Sequence, residues 1–361
     1  MDIAKRFKNN PLIKPQDVKP SLEGAEVECL LNPGTFTFNG KIYLLMRVAE
    51  RMIQKEGFIS TLVVDQASPE GVSIVEFALD DPLLSYDDAR VFSYDGKTYL
   101  TTLSHLRLAE SCDGIHFTAH DKPLILGEGE YETFGVEDCR VTQIDDTYHL
   151  TYTAVSEYGP AVGMQSTKDW KTFSKNGVIL PPPNKDCAIF DEQVNELYWA
   201  LHRPVVKVDS WSELNIWIAS SPNLKNWGDH LCLAKTRPGM WDSQRIGAGA
   251  TPIKTDKGWL EIYHGCDESS RYCLGALLLD LNDPTKVIAR SEKPIMQPLA
   301  QYEQEGFFGN VVFTNGHLVE DDEITVYYGA SDTVICAAKL SIPQILASLN
   351  INPEQVPELM V

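Results

Sequence analysis

Two acidic segments of the chain are candidates for acid–base chemistry. Asp88 lies in DDARVF and Asp138 in EDCRVT, and the two segments are similar enough to be one unit used twice. Cleavage of a glycosidic bond needs a carboxylic acid that protonates the leaving oxygen. Either carboxylate is also compatible with a structural role, bonded to Arg90 or Arg140 or to backbone N–H groups at the start of a strand. A position at the mouth of a ligand-binding funnel would favour the catalytic interpretation.

Basic residues recur at comparable positions further along the chain. Lys185, Arg203, Arg245 and His264 each fall at the start of a predicted first strand or at the end of a second strand, in three consecutive repeats. Arginine suits bidentate contacts with phosphate, and lysine supplies a point charge. Each residue alone is compatible with a salt-bridged surface side chain, and His264 with a core histidine. Together they predict a pocket for a small anion.

Short hairpins are the elements that would position these residues. An apolar strand, a polar turn and a second strand with an aromatic residue recur about every 50 residues. NG and DG between alternating apolar runs favour tight hairpin turns. The copies are TFTFNGKIYLLMRV (35–48), RVFSYDGKTYLTTL (90–103), RVTQIDDTYHLTYTAV (140–155), AIFDEQVNELYWALHRP (188–204), TPIKTDKGWLEIYHG (251–265) and VVFTNGHLVEDDEITVYYG (311–329).

This spacing predicts an all-β fold, a five-bladed β-propeller with short N- and C-terminal helices, in a single catalytic domain over 1–361. Because six hairpins are counted, the last one either adds a sixth blade or closes the ring with N-terminal strands. IAKRF predicts a helical extension within 1–24, and SIPQILASL predicts a C-terminal helix and tail over 341–361. The first strands of a propeller begin near its central axis, so the candidate acids and bases would meet there.

Composition limits the class of partner. The chain has 31 Lys and Arg against 51 Asp and Glu, a net charge of −20, which argues against nucleic acid or an anionic membrane as the main partner. It has no apolar run long enough for a membrane span and no signal-peptide pattern, so a cytoplasmic location is predicted. Its eight cysteines form no CxxC pair and are expected to be reduced thiols. No nucleotide-binding loop is present and HFTAH in a strand–turn context does not suit a metal, so neither metal nor other cofactor is predicted.

Several segments, in order over roughly 25–340, resemble glycoside hydrolase family 130, the β-mannoside phosphorylases with a five-bladed propeller. The similarity is greatest to the branch that acts on β-1,2-linked mannose. The matching segments include FNGKIYLLMRV, GVEDCRVTQID, NKDCAIF, ALHRP, RIGAGATPI, GWLEIYHG, GALLLDLNDPTKVIARS and VYYGASD.

The resemblance implies roles for individual residues. Asp138 matches the general acid, which the family is thought to use through a proton relay over a substrate hydroxyl. Lys185, Arg203 and His264 match the residues that hold phosphate, although Lys185 departs from members with Arg there, which keeps the charge but weakens bidentate geometry. The candidates for substrate binding are Asn32, Arg47, Arg245 and Asp332, which match sugar subsites, together with Asp88, Arg140 and Tyr327 near predicted blade entrances.

The resemblance therefore implies an inverting phosphorylase. It would cleave β-1,2-mannobiose, or short β-1,2-mannooligosaccharides, with inorganic phosphate to give α-D-mannose 1-phosphate and mannose. The basic residues agree with this, because phosphate is already a nucleophile and needs cations to position it rather than a base. Three alternatives stay open: a β-1,2-mannosidase that uses water, a phosphorylase of 4-O-β-mannosyl-glucose, and a non-catalytic glycan-binding propeller. The expected partners are a small oligosaccharide and phosphate, and the sequence leaves homo-oligomerisation open.

Overall fold

The computed structural model describes residues 2–88, 91–208, 211–349 and 351, and their secondary structure is almost entirely β. The two α-helices in this part of the chain are short, α1 (Gln301–Gln304) and α2 (Ile342–Ser348). Within the same ranges, no helix is long and apolar enough to cross a membrane. The predicted all-β class and the predicted C-terminal helix are confirmed.

The N-terminal segment forms a strand rather than a helix. Its elements are β1 (Lys5–Arg6) and a 3₁₀ turn (Pro15–Asp17). β1 pairs antiparallel with a strand near the end of the chain, with Lys5 opposite Lys339. The predicted helical extension within 1–24 is therefore wrong for IAKRF, because the N–H groups of Ile3 and Phe7 donate to the distant carbonyls of Ile295 and Ala337 rather than along the segment. β1 therefore joins the strands of the last predicted hairpin in one sheet.

In the described part of the chain, five antiparallel sheets follow one another and are numbered I to V; four of them have four strands and sheet IV has five. Sheet I contains β2 (Ala25–Phe38) and β3 (Lys41–Met52); five inserted strands follow, β4 (Phe58–Val64), β5 (Val72–Ala78), β6 (Leu84–Asp88), β7 (Val91–Tyr94) and β8 (Lys97–Leu100), before β9 (Leu103–Ser111) and β10 (Thr118–Ala119) complete it. Sheet II contains β11 (Val136–Ile144), β12 (Thr147–Ser156), β13 (Gly159–Thr167) and β14 (Ser174–Leu180).

Sheets III to V repeat this pattern. Sheet III contains β15 (Asn184–Ile189) and β16 (Tyr198–Pro204), then an inserted hairpin of β17 (Val206–Val208) and β18 (Trp211–Glu213), then β19 (Ile216–Ser221) and β20 (Gly228–Ala234). Sheet IV contains β21 (Arg245–Gly247) and β22 (Ile253–Thr255), which both pair with β23 (Gly258–Cys266), followed by β24 (Tyr272–Leu279) and β25 (Val287–Arg290). Sheet V contains β26 (Val312–Glu320), β27 (Glu323–Ala330), β28 (Val334–Ser341) and β1.

One of the six predicted hairpins does not begin a sheet of this series. The hairpin at 90–103 supplies β7 and β8, which join β6 in a separate three-stranded sheet inserted into sheet I. The segment DDARVF therefore lies in an insertion, whereas EDCRVT begins the first strand of sheet II, so the two are not equivalent. Asp88 ends β6, and its side chain lies outside the described part of the chain.

The turns follow from residues that accept a positive φ. Asn39 and Gly40 have φ of 49° and 75°, and Asp95 and Gly96 have φ of 49° and 76°. Two successive positive φ values define the tight turn that matches the right-handed twist of paired strands. These two dipeptides therefore mark real hairpin turns, including the one that belongs to the insertion, whereas Asn315–Gly316 in the last predicted hairpin lies inside β26.

The apolar core lies between consecutive sheets. Separate clusters of buried side chains fill the interfaces I/II, II/III, III/IV and IV/V. A fifth cluster joins the last sheet to the first, where Ile335 of sheet V packs with Leu44 of sheet I. Each middle strand is consequently covered on both faces, as the fully buried β23 is.

Candidate active site

Irregularities at equivalent points of the first strands create the site. The ladders of β2 with β3, β11 with β12 and β15 with β16 each skip residues, and the skipped positions include Asn32, Asp138 and Asp186. These three residues have φ of 26°, 48° and 55°. Asn and Asp are the residues that tolerate this conformation best after glycine, and a bulge redirects a side chain out of its ladder. The repeated bulge therefore turns one polar side chain from each of three sheets toward a common space.

That space is a cavity of about 470 Å³ at one end of the sheets. Most of the polar residues proposed from the sequence line it together with an apolar and aromatic wall. The lining residues are Leu31, Asn32, Arg47, Asp138, Lys185, Asp186, Arg203, Arg245, His264, Ser270, Tyr272, Phe308, Val311, Phe313 and Asp332.

Asp138 is a buried carboxylate surrounded by cationic groups. Its Oδ1 accepts hydrogen bonds from Asn32 Nδ2 and from Arg47 Nη1, both at 3.3 Å. Burial by itself raises the pKa of Asp138, but the charges of Arg47, Lys185 and Arg140 outweigh it and hold the pKa below its ordinary value. In the unliganded site Asp138 is therefore ionised at neutral pH.

Arg140 lies beneath the cavity and joins three sheets. From β11, its Nη1 donates to the backbone carbonyl of Asp138 at 2.9 Å. Its Nε and Nη2 donate to the carbonyls of Gly249 and Ala248, at 2.9 and 2.8 Å, and Nη2 also reaches Asp186 Oδ1 at 3.5 Å. Arg140 is 1 % exposed and does not line the cavity. The prediction that it binds substrate is corrected: it supports the backbone and carboxylate of residues that do line the cavity.

A second buried carboxylate, Asp186, stands among the basic residues. Its Oδ2 lies 3.0 Å from Arg203 Nε and 3.4 Å from His264 Nε2. Burial raises the pKa of Asp186, but Arg203 above all lowers it well below the ordinary value. Burial lowers the pKa of His264 to about 4, although Asp186 acts in the opposite direction. Gly247 permits this crowding, since a Cβ there would lie 2.3 Å from Asp186 Oδ2.

Several nitrogen atoms of basic residues that line the cavity have unsatisfied hydrogen-bonding capacity. Arg203 Nη1, His264 Nδ1 and Arg245 Nε are buried and have no hydrogen-bond partner among the described residues. Lys185 Nζ lies 3.7 Å from Glu137 Oε2, a distance too long for a hydrogen bond. Buried donors without partners cost free energy unless a ligand satisfies them. This side of the cavity is therefore suited to an oxyanion.

An aromatic wall adjoins these basic residues and offers apolar surface. The guanidinium of Arg245 lies 5.8 Å from the ring centre of Tyr272, and the Phe313 ring lies 4.1 Å from that of His264. Phe308 is 42 % exposed at the rim. Aromatic faces beside a few fixed polar groups are typical of small-molecule sites, and this wall suits the C–H faces of a sugar.

Asp332 also lines the cavity, and unlike Asp138 and Asp186 it has a raised pKa. Burial raises the pKa of Asp332 to about 6, although the charge of Arg47 acts against this. Because the folded-state pKa lies above that of an unfolded Asp, the destabilising cost of the carboxylate is absent at low pH and grows as pH rises through about 6.

We expect Asp332→Asn to raise Tm by about 2–5 °C at pH 8 and to change it little at pH 4. Asn is neutral at both pH values and tolerates the φ of 48° at this position. Thermal unfolding of both proteins at the two pH values measures the difference. A lower Tm at pH 8, or the same shift at both pH values, would contradict the assignment.

The structure brings together most of the residues that were predicted to form one site. Eight predicted residues line the cavity: Asn32, Arg47, Asp138, Lys185, Arg203, Arg245, His264 and Asp332. Tyr327 does not, because its ring is buried in the core between sheets V and I and its hydroxyl donates to the carbonyl of Gly114 at 3.0 Å. Its prediction as a substrate-binding residue is corrected to a core position.

Sequence reasoning missed Asp186 and the wall formed by Ser270, Tyr272 and Phe313. Asp186 was visible as a polar residue in the strand NKDCAI, at the same place as Asn32 in LLNPGT and Asp138 in VEDCRV. An acidic or amide residue inside an otherwise apolar first strand was the available signal for the bulge. The wall residues carry no comparable signal.

Fold and site together define an all-β protein with a cavity in which buried carboxylates and several cations meet. The family model of glycoside hydrolase family 130, described as beta-1,4-mannooligosaccharide phosphorylase, matches residues 76–350. The chain belongs to this family.

Individual relatives extend the comparison to almost the whole chain. A beta-1,2-mannobiose phosphorylase from Listeria innocua is 47% identical over 96% of this chain and 98% of its own length. A 1,2-beta-oligomannan phosphorylase from Thermoanaerobacter is 44% identical over 67% of this chain and 80% of its own length. The solved structure of the Listeria innocua beta-1,2-mannobiose phosphorylase in complex with beta-1,2-mannobiose has a TM-score of 0.89 and 45% identity, and covers 96% of this chain and 99% of that one.

Proposed function

We propose that this protein is an inverting phosphorylase of β-1,2-mannobiose, with short β-1,2-mannooligosaccharides as further substrates. It would use inorganic phosphate and release α-D-mannose 1-phosphate and mannose. One observation carries the proposal: the buried, unpartnered donors of Arg203, His264 and Arg245 share a single cavity with Asp138. A disaccharide bound in this cavity could therefore meet both a bound phosphate and the general acid Asp138.

Asp138 acts as the general acid in this reaction. The bond between C1 of the non-reducing mannose and the bridging oxygen breaks, and the proton from Asp138 ends on that oxygen of the departing mannose. A phosphate oxygen forms the new bond to C1 from the opposite face, which inverts the anomeric configuration. Phosphate is the nucleophile and the cations of the cavity position it, so the proposed reaction needs neither metal nor other cofactor.

Phosphate binding also favours the protonated form of Asp138, which is the form that can donate a proton. The charges of Arg47, Lys185 and Arg140 keep the pKa of Asp138 low. A bound phosphate brings negative charge into the same low-dielectric space and offsets those cations, which raises the pKa of Asp138. Asp138 is therefore protonated chiefly when phosphate, the nucleophile, is bound. The net charge of −20 gives phosphate no long-range attraction, so the local donors must provide its affinity.

We further propose that the five sheets are the blades of a propeller. The cores lie between consecutive sheets, and the core between sheets V and I returns the series to its start. The first strands of sheets I, II and III carry the bulged residues of the cavity at equivalent positions. A ring in which first strands surround one axis accounts for both observations.

Phosphate dependence tests the function directly. Purified protein is incubated with β-1,2-mannobiose with and without inorganic phosphate, and the products are resolved by NMR. We expect α-mannose 1-phosphate and mannose in equal amounts with phosphate, and less than about 1% of that turnover without it. Equal release of free mannose under both conditions would overturn the proposal.

A mannosidase that uses water is the second candidate, and one observation favours it. Asp332 has a pKa raised to about 6, within the range of a general base that would activate water in an inverting hydrolase. The same incubation separates the two, because the hydrolase gives free mannose only. Parallel incubations with 4-O-β-mannosyl-glucose and β-1,2-mannotriose test the linkage and chain length.

The cytoplasmic location is a proposal as well. All eight cysteines are unpaired thiols, which suits a reducing compartment.

A further inference from the structure

Glu261 is a buried carboxyl group outside the cavity that none of the steps above uses. It lies in the middle of β23 with no exposed surface. Its Oε1 accepts a hydrogen bond from the backbone N–H of Gly249 at 2.7 Å. Its Oε2 is buried and has no hydrogen-bond partner among the described residues. A buried carboxyl group with one contact of this kind needs an explanation.

The contact of Glu261 continues through Gly249 to the site. The carbonyl of Gly249 accepts from Arg140 Nε at 2.9 Å, and Arg140 in turn donates to the Asp138 backbone and reaches the Asp186 carboxylate. Gly249 packs closely against β23, since a Cβ there would lie 2.2 Å from the carbonyl oxygen of Ile262. The peptide between Ala248 and Gly249 is therefore held at its N–H by Glu261, and its carbonyl, that of Ala248, accepts from Arg140 Nη2 at 2.8 Å.

We propose that Glu261 is a positioning residue for the phosphorolysis reaction, acting through Gly249 and Arg140 on both the general acid Asp138 and the phosphate-side carboxylate Asp186. The inference rests on the proposed function. Glu261 touches no substrate atom; its role is to hold the peptide between Ala248 and Gly249, whose carbonyl accepts from Arg140 Nη2. What matters is the reach of the Oε1 acceptor, not a negative charge.

The protonation state of Glu261 agrees with this role. Burial raises the pKa of Glu261 to about 8, although the hydrogen bond from Gly249 and the charge of Arg140 act in the opposite direction. At neutral pH the side chain is therefore mostly an uncharged acid whose carbonyl oxygen accepts from Gly249. Because Glu261 is uncharged, it does not compete with Asp138 and Asp186 for the positive charge of Arg140.

Two conservative variants separate reach from charge. Glu261→Gln keeps the length and the carbonyl acceptor but cannot ionise, whereas Glu261→Asp keeps the carboxyl group and shortens the side chain by one methylene. We expect kcat for phosphorolysis of β-1,2-mannobiose to fall about 10-fold or more in Glu261→Asp and to stay within about 3-fold in Glu261→Gln. We expect the phosphate Kd, measured by calorimetry, to rise about 5-fold or more in Glu261→Asp only.

A coupling measurement shows whether the effect passes through Arg140. In an Arg140→Lys background, the additional loss caused by Glu261→Asp should shrink to within about 2-fold, because the shared path is already broken. Melting temperatures of all variants identify losses due to unfolding.

The inference is overturned if Glu261→Gln loses as much activity as Glu261→Asp, if Glu261→Asp is as active as the wild type, or if its full loss persists beside Arg140→Lys. If the wild type binds phosphate but does not turn over β-1,2-mannobiose, the proposed function fails, and the calorimetric comparison still decides the role of Glu261.

Discussion

Replacing Asp138 by Asn is expected to lower kcat for phosphorolysis of β-1,2-mannobiose by a factor of about 10²–10⁴. The amide has nearly the shape of the carboxyl group but has no acidic proton for the leaving oxygen. The loss should appear in kcat rather than in KM, since the proton is transferred in the transition state. Initial rates of mannose 1-phosphate formation at saturating phosphate and disaccharide measure it.

The fold should survive this substitution. Asp138 has a φ of 48°, a conformation that Asn adopts as readily as Asp, and Tm should stay within a few degrees of the wild type. Glu137→Gln is the matched control, because Glu137 is the adjacent carboxylate and Arg47 Nη2 donates to it at 2.7 Å. Like Asp138→Asn, this substitution removes one negative charge that contacts Arg47, yet it should lower kcat much less. A rate for Asp138→Asn within about 3-fold of the wild type, or equal losses in both variants, would remove Asp138 as the acid.

The sequence carried the local part of the fold well and its long-range part less well. Tight turns such as Asn39–Gly40 are specified by the φ preferences of their own residues, so the pattern found them. The hairpin at 90–103 has the same local signals, yet it pairs with β6 in an insertion. Which sheet a hairpin joins depends on contacts between distant segments, and a turn motif does not encode them. The same limit explains the IAKRF segment, whose partner is more than 300 residues away.

The site shows the same division between residue type and placement. Asp138, Arg203 and His264 were identifiable because charged residues inside apolar strands are costly and need a reason. Asp186 belongs to the same group, but its close approach to Arg203 and His264 arises from three separate strands and only the fold reveals it. Tyr327 was misplaced for the converse reason, since an aromatic residue near a strand end suits a core as well as a sugar platform.

Arg203→Met is expected to lower kcat/KM for phosphate by about 30- to 10³-fold, a loss of about 2–4 kcal/mol. The guanidinium has an unpartnered Nη1 in the cavity, and methionine keeps its volume but provides no donor. KM for β-1,2-mannobiose should change by less than about 3-fold, because the sugar is held by other residues. Arg203→Lys should recover only part of the loss, since a point charge does not replace the planar donor pair.

Removal of Arg203 also leaves Asp186 buried without its main cationic partner, and an unpaired buried charge destabilises the fold. The double variant Arg203→Met with Asp186→Asn separates this effect from phosphate binding. It removes both charges, so its Tm should recover toward the wild type while its kcat/KM for phosphate stays low. If phosphate kinetics recover together with Tm, Arg203 acts through folding alone; if they stay low in a protein of normal stability, Arg203 binds the nucleophile. We expect the second result, because Arg203 Nη1 is buried in the cavity and Asp186 does not satisfy it.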